Sequence, residues 1–366
     1  MSTVEDLRDY MHWAKTKMDA RYTLASSGVR PVTMAELGAT LDDVVLQGPP
    51  GYGWAPLTQA LAARMGVAED CVVSALGTTQ ANHLAIAALV GPGDDAVVEH
   101  PAYEPLLQLV RHRGATPRTF ERRAEDGWRI DPAAVRRAMT PRTRTIVITN
   151  LHNPTGAPAD EATLAALGAI ARDAKARVVV DEVYLEVPWI EGDRATPAPR
   201  SAFHLGPEFV VTSSLTKGFG LGGLRCGWIL AEPALAARMW SLLDMTVGNA
   251  PHVAERLCLV ALNRLPALAD RARALLAANR PRLTGFLDGR DDLEVVRPAG
   301  GTVMFPRWRG GDVERLCARL RERYATSIVP GRFFGAPEHF RIGIGGDTAV
   351  LTEGLDRLGR ALDELR

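Results

Sequence analysis

Lysine is almost missing from this 366-residue sequence: Lys15, Lys17, Lys175 and Lys217 are all there are, and nearly all positive charge is arginine. Three of the four stand in helix-like or polar flanking segments, where a solvated ammonium is expected. Lys217 stands at a strand end among glycines and hydroxyls, a place for chemistry. Cysteine is equally scarce. Cys71, Cys226, Cys258 and Cys317 are far apart, with no C-x-x-C pair and no histidine cluster. That pattern excludes a zinc site and gives no disulfide framework, so small buried or partly buried thiols are expected. No apolar run reaches the length of a membrane span. Met1 to Asp19 mixes acids and bases without an apolar core, unlike a signal peptide, and a reducing cytoplasm is the expected location. With 43 basic and 43 acidic residues the net charge is zero. No electrostatic footprint for nucleic acid or an anionic membrane follows, the cluster Arg111 to Arg113 being a local exception.

The composition that remains, 46% hydrophobic and 23% charged, is that of a soluble globular protein. The length exceeds what one core supports, so two domains are expected. The most informative stretch is Ser213 to Trp228, S-S-L-T-K-G-F-G-L-G-G-L-R-C-G-W. It follows the apolar run Phe209-Val210-Val211 and reads as a strand breaking into a glycine-rich loop. An amine desolvated in a pocket near other cations has a lowered pKa and forms a Schiff base with a carbonyl. The glycines allow an anionic cofactor to approach the backbone, and the forked guanidinium of Arg225 suits its phosphate.

Along the chain, Val4 to Met18 predicts an amphipathic helix and Leu24 to Pro31 an extended arm. Gln47 to Trp54 is a turn cluster carrying Tyr52 and Trp54. Val72 to Leu76 predicts a strand, Gly77-Thr78-Thr79-Gln80 a turn with an anion site or a threonine cap, and Ala81 to Val90 a helix. Strands at Ala96 to Glu99, Thr116 to Phe120, Thr145 to Thr149, Arg177 to Val180, Phe209 to Thr212 and Cys226 to Leu230 alternate with helices, among them Asp131 to Met139 and Glu161 to Asp173. Alternation of this kind predicts an α/β fold with a mostly parallel sheet flanked by helices, with ligands at the strands' carboxyl ends. A helical region from Pro233 to Leu287 follows. Short strands at Leu293 to Val296, Gly301 to Pro306, Ser327 to Val329 and Phe340 to Ile344, with helices Val313 to Tyr324 and Thr348 to Leu365, predict a smaller α+β domain. The expected division is an N-terminal arm over 1–46 packing with that small domain, a large cofactor-binding domain over 47–280, and the small domain over 281–366.

The strand-end residues make the parts list for pyridoxal 5′-phosphate (PLP). Lys217 supplies the imine; Gly77, Thr78, Ser214 and Arg225 a phosphate site; Asp181 a carboxylate that keeps the ring nitrogen protonated. Asn153 and Tyr184 are placed to hydrogen-bond the ring's phenolate oxygen, and Tyr103 to stack on its face.

In its motifs the sequence resembles the class I/II aminotransferases of PLP-dependent fold type I. They are N-P-T-G at Asn153 to Gly156, D-x-x-Y at Asp181 to Tyr184, S-x-T-K ending at Lys217, the glycine-rich run from Gly218 to Arg225, and F-R-I-G at Phe340 to Gly343. Five weak motifs in one order span nearly the whole chain. The resemblance implies an aminotransferase moving an amino group from an L-amino acid to a 2-oxo acid. It further implies that Lys217 carries the cofactor and the proton, with Asp181 and Tyr184 beside it in the catalytic set. Arg341, with Asn153 and Gly28, would bind the substrate, Arg341 gripping its α-carboxylate. Tyr52 would reach the phosphate of a neighbouring subunit, so a homodimer is expected. Thr216 stands where serine is commoner in the motif. The arm Ser26 to Pro31 departs more, being similar to the arm of family members, capreomycidine synthase among them, that carry out elimination or cyclisation. A PLP lyase, cyclase or oxidase is therefore the alternative reading. A cofactor-binding transcriptional regulator would call for a helix-turn-helix and a basic patch, which this sequence does not display. For side-chain specificity the candidates are Arg30, Trp54, Asn249 and Arg309.

Overall fold

The computed structural model describes residues 9–192, 195 and 197–366. Seven strands form the central sheet: β1 Val72–Leu76, β2 Asp95–His100, β3 Thr116–Glu121, β4 Thr143–Thr149, β5 Arg177–Asp181, β6 Phe209–Ser214 and β7 Cys226–Leu230. Their spatial order is β1-β7-β6-β5-β4-β2-β3. From β3 to β6 the neighbours are parallel, whereas β7 runs antiparallel to β6 and to β1. The carboxyl ends of β1, β2, β4, β5 and β6 and the start of β7 therefore share one edge. The chain winds outward from β2 in one direction and from β4 in the other, the kind of crevice where open α/β sheets take ligands.

The strands are nearly continuous apolar runs because both faces of the sheet are covered. Ile146, Val147 and Ile148 of β4 and Val178, Val179 and Val180 of β5 are wholly buried, and alternate residues enter two separate cores. Each such side chain contributes roughly 1.5–3 kcal/mol.

Where the sequence and the structure differ, the causes are local. The helix expected from Ala81 starts at Gly77: helix α2 spans Gly77–Leu89, and the presumed turn is its first turn. The cap is not threonine. Gln80 reaches back so that its Oε1 accepts the Leu76 N–H at 2.6 Å. The long helical region is three helices, Pro233–Asp244, His252–Asn263 and Leu265–Asp288. Between Gly301 and Pro306 only Val303–Met304 is laddered, and strand Arg307–Trp308, paired with Leu293–Glu294, was not foreseen. The first described helix, α1, spans Asp9–Thr16; residues 4–8 of the expected segment lie outside the described residues. Two of the expected thiols are joined instead, as a Cys226–Cys258 disulfide. Cys226 opens β7 and Cys258 lies on the helix His252–Asn263, so a separation of 32 residues becomes a Cα distance of 6.3 Å. Cys71 and Cys317 are buried thiols, as expected.

The arm is threaded between the sheet edge and the C-terminal strands. Tyr22–Thr23 pairs with Thr326–Ser327, and strand Phe340–Gly343 lies between Val303–Met304 and Val329–Pro330. The Gly343 N–H donates to Leu24 O at 2.7 Å. A Cβ on Gly343 would lie 1.6 Å from Ser26 O, so glycine is what lets the arm approach this strand. On its other side the arm meets the lysine loop, Val29 N–H donating to Lys217 O at 2.9 Å.

Candidate active site

A cavity of about 490 Å³ opens at the shared strand edge. Lys217, in the short helix Thr216–Phe219 just after β6, projects into it. Its Nζ donates to Ser27 Oγ of the arm at 2.9 Å. Burial lowers its pKa, and Arg341 and Arg225 push the same way against Tyr10 and Asp181. A neutral amine is thus closer to reach than on a surface lysine.

Asp181 ends β5. Its Oδ2 accepts from Asn82 Nδ2 at 2.8 Å and its Oδ1 from the Val183 N–H at 3.1 Å. Burial nevertheless pushes its pKa up to about 6, these bonds and Lys217 pulling it down. Thr212 Oγ1 donates to Asn82 Oδ1 at 2.6 Å, which fixes the amide with its NH₂ toward Asp181.

The anion end is built from α2 and β6. Thr78 Oγ1 donates to Ser214 Oγ at 2.8 Å. Arg225, with left-handed backbone at φ 51°, donates from Nη2 to Leu76 O at 3.1 Å. Gly77 has φ 72°, and a Cβ there would come within 2.5 Å of Arg225 Nη2, so a side chain at this position would displace the guanidinium.

Opposite stands Arg341, buried at 1% exposure. Nη1 donates to Asn153 Oδ1 at 2.8 Å; Nη2 donates to Ala25 O at 3.1 Å and Tyr10 Oη at 3.4 Å; Nε has no protein partner. Asn153 is held in turn by its N–H to Thr149 Oγ1 at 2.9 Å. The Thr149 hydroxyl and N–H both donate to Glu99 Oε1, whose Oε2 takes Arg122 Nη1 at 2.7 Å in a wholly buried ion pair. Tyr103 meets Tyr10 edge to face at 5.1 Å, and the Tyr184 ring centroid is 6.0 Å from Lys217 Nζ.

Of the residues singled out in the sequence, Thr78, Tyr103, Asn153, Asp181, Tyr184, Lys217, Arg225 and Arg341 line this cavity. Gly77 and Ser214 lie directly behind its wall, against Arg225 and Thr78. Gly28 does not line it; a Cβ there would be 3.2 Å from the Lys217 Cα and O, so Gly28 packs on the lysine backbone. Tyr52 lies outside it, 63% exposed, its Oη donating to Asp244 Oδ2 at 3.1 Å. None of the specificity candidates reaches the cavity. Arg30 is bound to Glu36 at 2.7 Å and Arg309 to Glu294, while Trp54 packs on His252 and Asn249 is exposed. Sequence reasoning missed Tyr10, Asn82 and Thr149 and took Ser27 only as part of the arm. Asn82 carried a signal, since it follows Thr78 by four residues and so shares its helix face.

The residues fit PLP. Asp181 is a carboxylate whose pKa burial raises, and a protonated ring nitrogen beside it would favour its charged form. Arg225, two hydroxyls and the first N–H groups of α2 suit a phosphate dianion.

This fold and this grouping define an α/β enzyme whose amine, Lys217, and buried guanidinium, Arg341, share one cavity. Residues 26–358 match the family aminotransferase class I and II, and the chain belongs to that family of PLP-dependent enzymes. It is 30% identical to capreomycidine synthase of Streptomyces vinaceus, over 96% of this chain and 92% of the relative. It is 33% identical to a probable N-succinyldiaminopimelate aminotransferase DapC of Mycobacterium tuberculosis, over 80% and 76%. The crystal structure of a PLP-dependent aminotransferase from Streptococcus suis superposes with a TM-score of 0.88 at 24% identity, covering 97% of each chain. Among the described residues no helix is long and apolar enough to cross a membrane, and no acidic, histidine or cysteine cluster could hold a metal.

Proposed function

We propose that this enzyme transfers an amino group from an L-amino acid to a 2-oxo acid, with Lys217 as anchor of the cofactor and carrier of the proton. The observation that carries this reading is the placement of Lys217, Asp181 and Arg341 around one cavity. When bound, PLP supplies an electron sink for the substrate α-carbon. Asp181 supplies the negative charge that keeps the ring nitrogen protonated, and Asn82 holds Asp181 in place. Thr78, Ser214, Gly77 and Arg225 would hold the cofactor's phosphate, and Tyr103, Asn153 and Tyr184 would hold its ring. Arg341 grips the α-carboxylate, beside Asn153 and the Ala25 carbonyl of the arm. Lys217 Nζ, once displaced by substrate, takes the α-proton and returns it.

The domain reading stays as an arm over 1–46, a large domain over 47–280 and a small domain over 281–366. It is supported by a central sheet within 72–230 and by the pairing of the arm strand with Thr326–Ser327. A homodimer is part of the proposal. Leu41, Leu46, Tyr52 and Met245 are more than 60% exposed, and Tyr52 lies outside the cavity of its own chain, as a residue serving a second copy would. Mixing Tyr52→Phe with Lys217→Ala subunits will then give hybrid dimers with one intact site. Activity above the sum of the two parents, once hybrids are verified, is the expected result; activity at or below it speaks against a shared site.

Arg341→Lys will raise KM for every amino acid and oxo acid by roughly ten- to a hundredfold, because a point-charge ammonium cannot reproduce the planar two-bond grip and leaves buried partners unmet. Steady-state kinetics check this, and an unchanged KM removes Arg341 from carboxylate binding. A substrate screen following both oxo-acid formation and ammonia release tests the reaction type. The second reading, a lyase, cyclase or oxidase, is favoured by the Ser26-Ser27-Gly28 arm beside Lys217 and by the similarity to capreomycidine synthase; it requires ammonia or a cyclised product without consumption of a 2-oxo acid.

A further inference from the structure

Ser27 stands where the arm crosses between the two cationic ends of the substrate site. Its side chain is buried, with 5% exposure, and its Oγ accepts the Lys217 Nζ hydrogen bond at 2.9 Å. Tyr184 lines the same cavity, its ring centroid 6.0 Å from Nζ. Two residues earlier on the same extended segment, Ala25 O accepts from Arg341 Nη2 at 3.1 Å. The segment cannot slide. Ser27 O is held by Thr302 Oγ1 at 2.6 Å, Val29 N–H by Lys217 O at 2.9 Å, and Leu24 O by the Gly343 N–H at 2.7 Å. The arm therefore fixes the amine relative to the carboxylate-binding guanidinium through contacts to both.

We propose that Ser27 is a positioning residue for Lys217: its hydroxyl receives the displaced amine and aims Nζ at the α-carbon of a substrate whose carboxylate is held by Arg341. The inference rests on the functional reading above. A hydroxyl that accepts from Nζ stabilises the ammonium over the neutral amine, so the same contact sets the pH at which Lys217 becomes a base. The other groups around Nζ are Tyr10 on α1, Asp181 at the end of β5, Tyr184, Arg225 and Arg341. A substitution at Ser27 replaces none of these side chains.

The test compares Ser27→Ala and Ser27→Thr in the full chain. In the first readout, cofactor-stripped protein is reloaded with PLP across a pH series and the covalent product is trapped with borohydride. Attack on the carbonyl needs the neutral amine, so the acid limb of the loading rate reports Lys217. Ser27→Ala should move that limb down by about one pH unit, and Ser27→Thr, which keeps the hydroxyl, should leave it in place. In the second, kcat of the holoenzyme should fall about tenfold to a hundredfold in Ser27→Ala, the effect of a misaimed reacting group, with KM for the amino acid nearly unchanged because Arg341 keeps its partners; Ser27→Thr should recover most of kcat. An unmoved acid limb in Ser27→Ala overturns the proposal, as does a Ser27→Thr enzyme as impaired as Ser27→Ala. Reaction type does not enter the first readout. A wild type that eliminates still loads through Lys217, so failure of the transfer reading shows as ammonia release, and failure of this inference as an unmoved limb.

Discussion

Lys217→Ala will abolish covalent cofactor capture and lower turnover by about 10⁴-fold or more, since it removes a nucleophile and a general base together. No substitute is within reach. The other cations lining the cavity are Arg341, buried, and Arg225, exposed, which as arginines stay charged, and Lys15, exposed on α1. The fold should be unaffected, because the arm docks through the Lys217 carbonyl, which Val29 N–H reaches whatever the side chain. Borohydride reduction of the wild type should fix the cofactor to the chain irreversibly, while the alanine variant should release it on denaturation. A variant that still traps covalently would remove Lys217 from its assigned role.

Asp181→Asn is expected to leave the cofactor bound but to slow the half-reaction by about 10³-fold. A charge pair at about 4 Å in an effective dielectric of about 20 is worth about 4 kcal/mol, or three powers of ten in rate. The variant should fold. It removes a buried carboxylate whose pKa is already pushed up to about 6, and an asparagine can still accept from Asn82 with its oxygen. Its amide nitrogen then faces the Val183 N–H, a loss of about 1 kcal/mol. Rapid-mixing measurements with an amino acid alone provide the check, and a decrease of less than about tenfold, about 1.4 kcal/mol of barrier, would exclude Asp181 as partner of the ring nitrogen.

The contrast between what the sequence displayed and what it hid follows from where information about contacts resides. Strands β1 and β7 and the helices Glu161–Asp173, Val313–Tyr324 and Thr348–Leu365 have the bounds expected from pattern alone. Their apolar period and their caps, such as Asp160 accepting from the Thr163 N–H at 2.7 Å, are local. Seven of the eight cavity residues singled out in the sequence were legible because the edge of the central sheet gathers them, whereas Arg341, on strand Phe340–Gly343 of a separate antiparallel sheet, was legible only through its motif. The Ser27–Lys217 contact joins residues 190 apart and Tyr10–Arg341 residues 331 apart, and no periodicity encodes either. Gly28 shows the complementary error. The motif pointed to the substrate, whereas the missing side chain serves packing against Lys217. The Cys226–Cys258 pair was hidden for the same reason as Ser27, since only the crossing of a strand by a distant helix brings the two sulfurs together.

The central claim is that Lys217 returns the α-proton so that the amino group stays with the enzyme until a 2-oxo acid removes it. One equivalent of a productive amino acid, added to holoenzyme with no acceptor present, tests this through the visible absorption of the bound cofactor. The account predicts that the band bleaches, that one equivalent of oxo acid appears without ammonia, and that the band returns only when a 2-oxo acid is added. Recovery of the band unaided, with ammonia or a cyclised product accumulating, would contradict it.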